Sequence, residues 1–280
     1  MHGFLTHLLT TLRLNHRNKQ ALVFGYGVPI ISLFAFGSIF GKTVDALELA
    51  QVLTITALGG ACFGMPVSIV SDRERGVWRR YRLAPVSTVT LIASVMITRF
   101  LIMLSSALLQ IALARLIFKT EWPASPLQLL AAFTLVSFAF LGMGLVIAMV
   151  ARTASAVQAI GQMIFLPMII VGGVGIDWRM LPLWAKHVSV FLPGRYAVEI
   201  MRLCILDPSK LTRPVPIGLS AASFEIFALG LIGASACLAG AKLFRWDSEQ
   251  KTRGWALLWG FIALLGWLAV GIIAEYRKMV

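Results

Sequence analysis

Gly41-Lys42-Thr43 is where this sequence comes nearest to a phosphate-binding loop, because a Walker A loop ends in glycine, lysine and a hydroxyl residue. The pattern also requires glycine at position 36, where Phe36 stands, and a strand ahead of the loop, where the chain carries an apolar run. Nucleotide chemistry is therefore not expected there. No HExxH, GxSxG or Cys/His cluster appears either. His2, His7, His16 and His187 all fall outside the cores of the apolar runs, so no nucleophile and base can be named for an intramembrane hydrolase. Cys62, Cys204 and Cys237 have no CxxC spacing and are odd in number, which points to packing rather than to a disulfide framework or a zinc site. Charge within apolar surroundings is sparse: Glu48, Arg99 and Glu225. Each can snorkel to an interface, and Arg99 could instead face a cavity, but no proton or sodium relay is visible.

The elements that must position these residues are hydrophobic helices. Hydrophobic residues make up 59% of the chain and charged residues 13%, with mean hydropathy +0.85, well beyond the usual soluble range. Runs of about 20 uncharged residues match the length needed to cross a hydrocarbon core, and in lipid such runs must be helical. Spans are expected at about Ala21 to Phe40, Ala46 to Val70, Val89 to Phe118, Leu127 to Val150, Ala156 to Ile176 and Leu219 to Phe244, with a seventh at Trp255 to Ala274. The first exceeds the h-region of a signal peptide and is read as retained. Ahead of it, Leu5, Leu8, Leu9 and Leu12 share one helical face, so Gly3 to Lys19 reads as an interfacial helix or a cytoplasmic helix packed on a partner. Pro29, Pro66 and Pro167 lie within spans, as hinges or as kinks fixed by packing.

The net charge of +13 follows the positive-inside rule better than it suggests nucleic acid. An inside N-terminus places Arg13, Arg17, Lys19, the arginines between Ser71 and Thr88, Arg152, Lys242, Arg245, Lys251 and Arg253 in the cytoplasm. Lys42, Arg115, Lys119, Arg277 and Lys278 are left outside. Seven spans then put the C-terminus outside.

The densest polar feature is the loop from Ser71 to Ser87. A positive-inside anchor needs only Lys and Arg, whereas this loop adds Asp72, Glu74 and an exposed-looking Trp78, with Pro85 to stop a short helix. A central aromatic flanked by mixed charge suits docking on a partner. The stretch after the fifth span is too apolar for solvent and too broken by Gly and Pro for one crossing helix, which suggests short helices dipping back into the outer leaflet. Gln158 and Gln162, one turn apart on the fifth span, either face a translocation path or hydrogen-bond between helices.

Asp72-Arg73-Glu74-Arg75-Gly76, followed by Arg79-Arg80 and by Leu83-Ala84-Pro85-Val86-Ser87, resembles the signature of ABC-2 type permeases, the membrane subunits of many bacterial ABC exporters. Phe165-Leu166-Pro167, Gly172-Gly173, Leu181-Pro182-Leu183-Trp184 and Leu192-Pro193 with Tyr196, Ala197, Val198 and Arg202 are similar to the family's stretch after the fifth span. The resemblance covers residues 1–244 and implies an all-α, polytopic, six-span, type V exporter-like bundle. Residues 3–19 would be the interfacial helix and 71–82 a coupling helix, with Asp72, Arg73, Glu74, Arg75, Gly76, Trp78, Arg79 and Arg80 seated on a cytoplasmic ABC ATPase subunit. Residues 177–202 would be an outer re-entrant gate containing Trp178, Pro182, Trp184, Pro193 and Tyr196.

It further implies a second permease copy, ATP and magnesium held by the partner rather than by this chain, and residence in the bacterial inner membrane. No metal, cofactor or nucleic acid is expected on this chain. Residues 245–280, a basic linker and one extra span, depart from the six-span pattern. Sparse charge in the spans favours an amphipathic or hydrophobic cargo such as a drug, secondary metabolite or lipid-linked molecule. The alternative is a structural or assembly subunit of a membrane complex, which would share the docking loop but not require the broken outer segment.

Overall fold

A computed structural model describes residues 23–39, 44–78, 88–207, 217–244 and 254–277. The expected interfacial helix at 3–19, Gly41-Lys42-Thr43, Arg79, Arg80 and the basic stretch 245–253 lie outside the described residues.

Every regular element among the described residues is helical. Helix α1 (Val28–Ile39) is entered through a π-helical stretch, Val23–Gly27. Helix α2 (Ala46–Glu74) has a second π stretch, Gly60–Gly64, inside it. There follow α3 (Thr88–Phe118), α4 (Pro126–Val150), α5 (Ala154–Ile170), the short α6 (Leu183–Ser189) and α7 (Pro193–Ile205), then α8 (Ser223–Lys242) and α9 (Gly254–Tyr276). Among the described residues, five helices are long and apolar enough to cross a membrane: α2, α3, α4, α8 and α9. The runs Gly25–Ser38 and Ala154–Ile170 are shorter apolar helices. The chain is thus an all-α, polytopic bundle.

Burial separates centre from rim. The most apolar stretches of α2 and α4 are 83% and 72% buried, whereas those of α3 and α9 are 28% and 18% buried and turn most of their apolar surface outward. Helices that are apolar all round and exposed belong against lipid.

Local chemistry explains the ends. Asp45 caps α2 by accepting from the Glu48 amide at 2.8 Å, while Glu48 returns the bond to the Asp45 amide at 3.1 Å. Glu48 thereby satisfies otherwise orphan donors, a local role that snorkelling does not describe. Glu225 sits in the first turn of α8 at 8% exposure, where the helix dipole favours a carboxylate. The fifth span ends at Ile170, short of the expected Ile176. Val171 and Gly172 fold their amides back onto the Pro167 carbonyl, and Gly173 adopts φ +79, a left-handed stop that glycine makes without strain. The sixth begins at Ser223 rather than Leu219, because the Gln128 side chain takes the Leu219 amide into a turn beside Gly218.

Of the prolines within spans, Pro29 and Pro66 are buried in the packing, whereas Pro167 is exposed near the end of α5. Pro66 cannot donate to the Cys62 carbonyl four residues back, and α2 widens into its π stretch just before it. Gly144 and Gly161 press α4 and α5 onto this break. A Cβ there would lie 2.3 Å from the Ala61 carbonyl oxygen and 2.7 Å from that of Cys62. Small residues let backbones approach this closely.

Candidate functional site

Three places along α2 gather the functional candidates: its last turn, its broken middle and its capped start. At the last turn, Ser71–Glu74 continue α2, Arg75 and Gly76 form a turn, and Val77 and Trp78 are helical again; residues 79–82 of the expected coupling helix lie outside the described residues. The Arg75 amide returns to the Ser71 carbonyl, and Gly76 reverses the chain at φ +71. Arg73 is 3% exposed and donates to the Ala148 carbonyl at 3.2 Å and to that of Ala151 at 2.5 Å. Carbonyls at a helix C-terminus lack intrahelical partners and carry partial negative charge, so this guanidinium closes the end of α4.

Trp78, expected to be exposed, is 4% exposed and meets Phe244, just beyond α8, edge to face at 5.4 Å. The reversal at Gly76 folds it inward. Glu74 and Arg75 remain exposed, with Asp72, Gly76 and Val77 partly so. Of the eight coupling residues read from the sequence, two thus anchor the turn, four form its outward side and two lie outside the described residues.

At the broken middle, Gln158 and Gln162 line one cavity of about 280 Å³ with Val28 and Pro29 of α1 and Ile55, Gly59 and Phe63 of α2. Phe63 stacks edge to face on Phe165 at 5.4 Å beside it. The neighbouring polar contacts were not singled out by sequence reasoning. Gln110, fully buried in α3, donates to the Pro29 carbonyl at 2.7 Å and accepts from the Thr56 hydroxyl at 2.7 Å, so one amide ties α3 to both α1 and α2. An uncharged amide in the middle of an apolar span was the available signal. Arg99, 3% exposed, neither snorkels nor faces this cavity: it donates to the Gly64 carbonyl at the end of the π stretch.

At the capped start, the segment after α5 folds over the bundle. Neither α6, at 7 residues, nor α7, at 13, is long enough to cross a membrane. Trp178 lies in a single 3-10 turn capped by Asp177, and the Arg195 guanidinium stacks over its ring at 3.7 Å. Arg195 is 4% exposed and also donates to the Ser189 hydroxyl at 2.9 Å. Tyr196 donates to the Val190 carbonyl and packs edge to face on Phe224 at 5.6 Å. Glu199 pairs with Arg202 at 2.5 Å and with Arg179 at 3.4 Å. Gln51 of α2 donates to the Gly173 carbonyl at 3.2 Å, fastening the segment to the central helix.

Of the expected gate residues, Trp178 is held under Arg195, Tyr196 is buried against Phe224, and Pro193 is buried at the start of α7. Pro182 heads α6, whereas Trp184 points away at 67% exposure. Among the described residues no group of His, Cys, Asp and Glu could hold a metal ion.

A family model described as ABC-2 type transporter matches residues 4–206, which takes in the Gly76 turn, the glutamine cavity and the folded-over segment. The match stops before α8 and α9, short of the residue 244 to which motif spacing carries the resemblance. No curated protein and no solved structure matches the chain. With the greater part of its length matched and the polytopic helical bundle the family calls for, the chain belongs to the ABC-2 type transporter family.

Proposed function

We propose that the chain is the permease subunit of an ATP-driven exporter, with a separate ABC ATPase seated on the Gly76 turn and the cargo passing beside Gln158 and Gln162. The observation that carries this reading is the division of labour at the end of α2. Glu74 and Arg75 face out, while Arg73 and Trp78 fasten the same turn to the ends of α4 and α8. A push on the turn reaches three helices at once, and α2 leads directly to its break, where Ile55, Gly59 and Phe63 wall the cavity. Packed interfaces of this kind move between discrete arrangements, which suits a gate.

The remaining parts of the reading follow from lipid and charge. The Gly76 end is cytoplasmic, since the arginines cluster there, and the Trp178 end is outside. Two copies meet across α5, whose Met163, Leu166 and Ile170 are 76%, 49% and 52% exposed on a helix that borders the cavity. ATP and magnesium belong to the partner subunit. The apolar walls of the cavity, broken by two amides, fit an amphipathic or hydrophobic cargo.

The test exchanges the outward charges, Glu74→Lys with Arg75→Glu, and follows co-purification of the ATPase. Interface anchors commonly cost about 2 kcal/mol or more when lost, so association is expected to weaken roughly thirtyfold or more at normal membrane abundance. Unchanged association at normal abundance would return the turn to a simple membrane anchor.

A further inference from the structure

Helix α9 lies beyond the family match, yet its far end is bound into the folded-over segment. It runs beside α8, where Gly266 sits against the Ser235 side chain, and it leaves an apolar cavity of about 460 Å³ against α4, α5 and α8 lower down. Beyond Gly266 the fit tightens. Val270 and Ala274 are fully buried, and a Cβ on Gly271 would lie 2.0 Å from the Phe191 ring. One turn on, Glu275 meets His187 Nδ1 at 2.6 Å, and the Arg277 guanidinium lies 5.2 Å from the centre of the Phe224 ring, which itself packs on Tyr196.

Gly271 and Glu275 stand four residues apart, so they share one face of α9. His187 and Phe191 are spaced likewise along α6 and the corner after it. Two contacts about one helical turn apart fix the direction of α6 as well as its position, which a single contact cannot do.

We propose that α9 is a clasp on the gate: Gly271 and Glu275 are positioning residues that hold the α6–α7 corner shut through Phe191 and His187, and the gate opens only when both contacts separate. The regulatory meaning rests on the transport reading above; the contacts themselves do not. If α9 merely braced the fold, tethering it to α6 would leave turnover unchanged or raise it. A clasp must let go, so tethering must stop the cycle.

The side chains of His187 and Glu275 are 46% and 40% exposed and accessible to reagents. In a variant lacking Cys62, Cys204 and Cys237, His187→Cys and Glu275→Cys are joined by a short reducible bis-thiol linker, in proteoliposomes holding the permease with its co-purifying ATPase. ATP turnover is expected to fall at least tenfold on linking and to recover on reduction. Full turnover while linked, or a loss that reduction does not relieve, would overturn the clasp.

A second measurement needs no ATPase. Val190→Cys, at a fully buried position of the corner, is labelled with a membrane-impermeant maleimide with and without Gly271→Leu, which displaces Phe191. Labelling is expected to quicken threefold or more in folded protein of normal abundance; equal labelling rates would count against the clasp. Absence of any co-purifying ATPase would remove the exporter reading and leave this labelling to decide the clasp alone.

Discussion

At the Gly76 end of the bundle, Arg73 and Trp78 turn inward while Glu74 and Arg75 face out. At the Trp178 end, Arg179, Arg195, Glu199 and Arg202 all find partners within the same folded segment. The two ends solve different problems with similar residues. Charges already paired within one segment have little left to offer another protein, and they stiffen the fold that holds them. Outward charges on a turn pinned by two buried anchors keep their hydrogen-bonding capacity while losing little freedom, which is what a docking surface requires. The difference teaches that a cluster of arginines on a membrane protein is not one kind of feature. What each guanidinium touches decides whether it anchors, displays or seals.

Three variants can break or sharpen this contrast. The largest effect is expected from Trp78→Ala. A buried aromatic removed from its contact with Phe244 costs about 3–5 kcal/mol, so thermal stability in detergent and membrane abundance should both fall. A surface docking aromatic would have tolerated the change, so normal stability would erase the distinction between anchor and display. Next comes Arg195→Met, which removes the stack on Trp178 and the bond to Ser189 from the sealed end. A loss of about 2–3 kcal/mol is expected in the same melting measurement, and a loss under about 1 kcal/mol would show that the segment does not depend on its charge network. The smallest effect belongs to Glu74→Gln with Arg75→Gln. Exposed side chains on a turn should change stability by no more than about 0.5 kcal/mol, and a larger shift would mean that they too are structural.

Several details show how far the chain could be read without its fold. Gly172-Gly173 and Pro182 showed that the stretch after α5 is too broken for one crossing helix, because glycine and proline act on the backbone beside them. The end of α5 was still placed six residues late, since the apolar run continues past Ile170 and hydrophobicity does not register a helix that has already stopped. Trp78 was misplaced for a related reason. Its neighbours are charged, which suggests an exposed loop, but the reversal at Gly76 carries it to Phe244, far along the chain. Gln158 and Gln162 were legible as a pair because helical spacing puts them on one face, and the fold then gave that face a cavity.

The sequence alone determined that this is a helical membrane protein, where most of its spans lie, which stretch is too broken to cross, and which family it resembles. These properties are local: hydrophobic length, the missing amide of proline and the left-handed freedom of glycine act over a few residues. Only the tertiary structure decided that Arg73 closes α4, that Arg99 grips the Gly64 carbonyl, that Gln110 joins α3 to α1 and α2, and that α9 reaches the corner between α6 and α7. Each of those contacts joins distant parts of the chain. In an interior with no water to satisfy polar groups, the partner is whichever carbonyl or side chain packing brings within reach, and that is a property of the whole bundle.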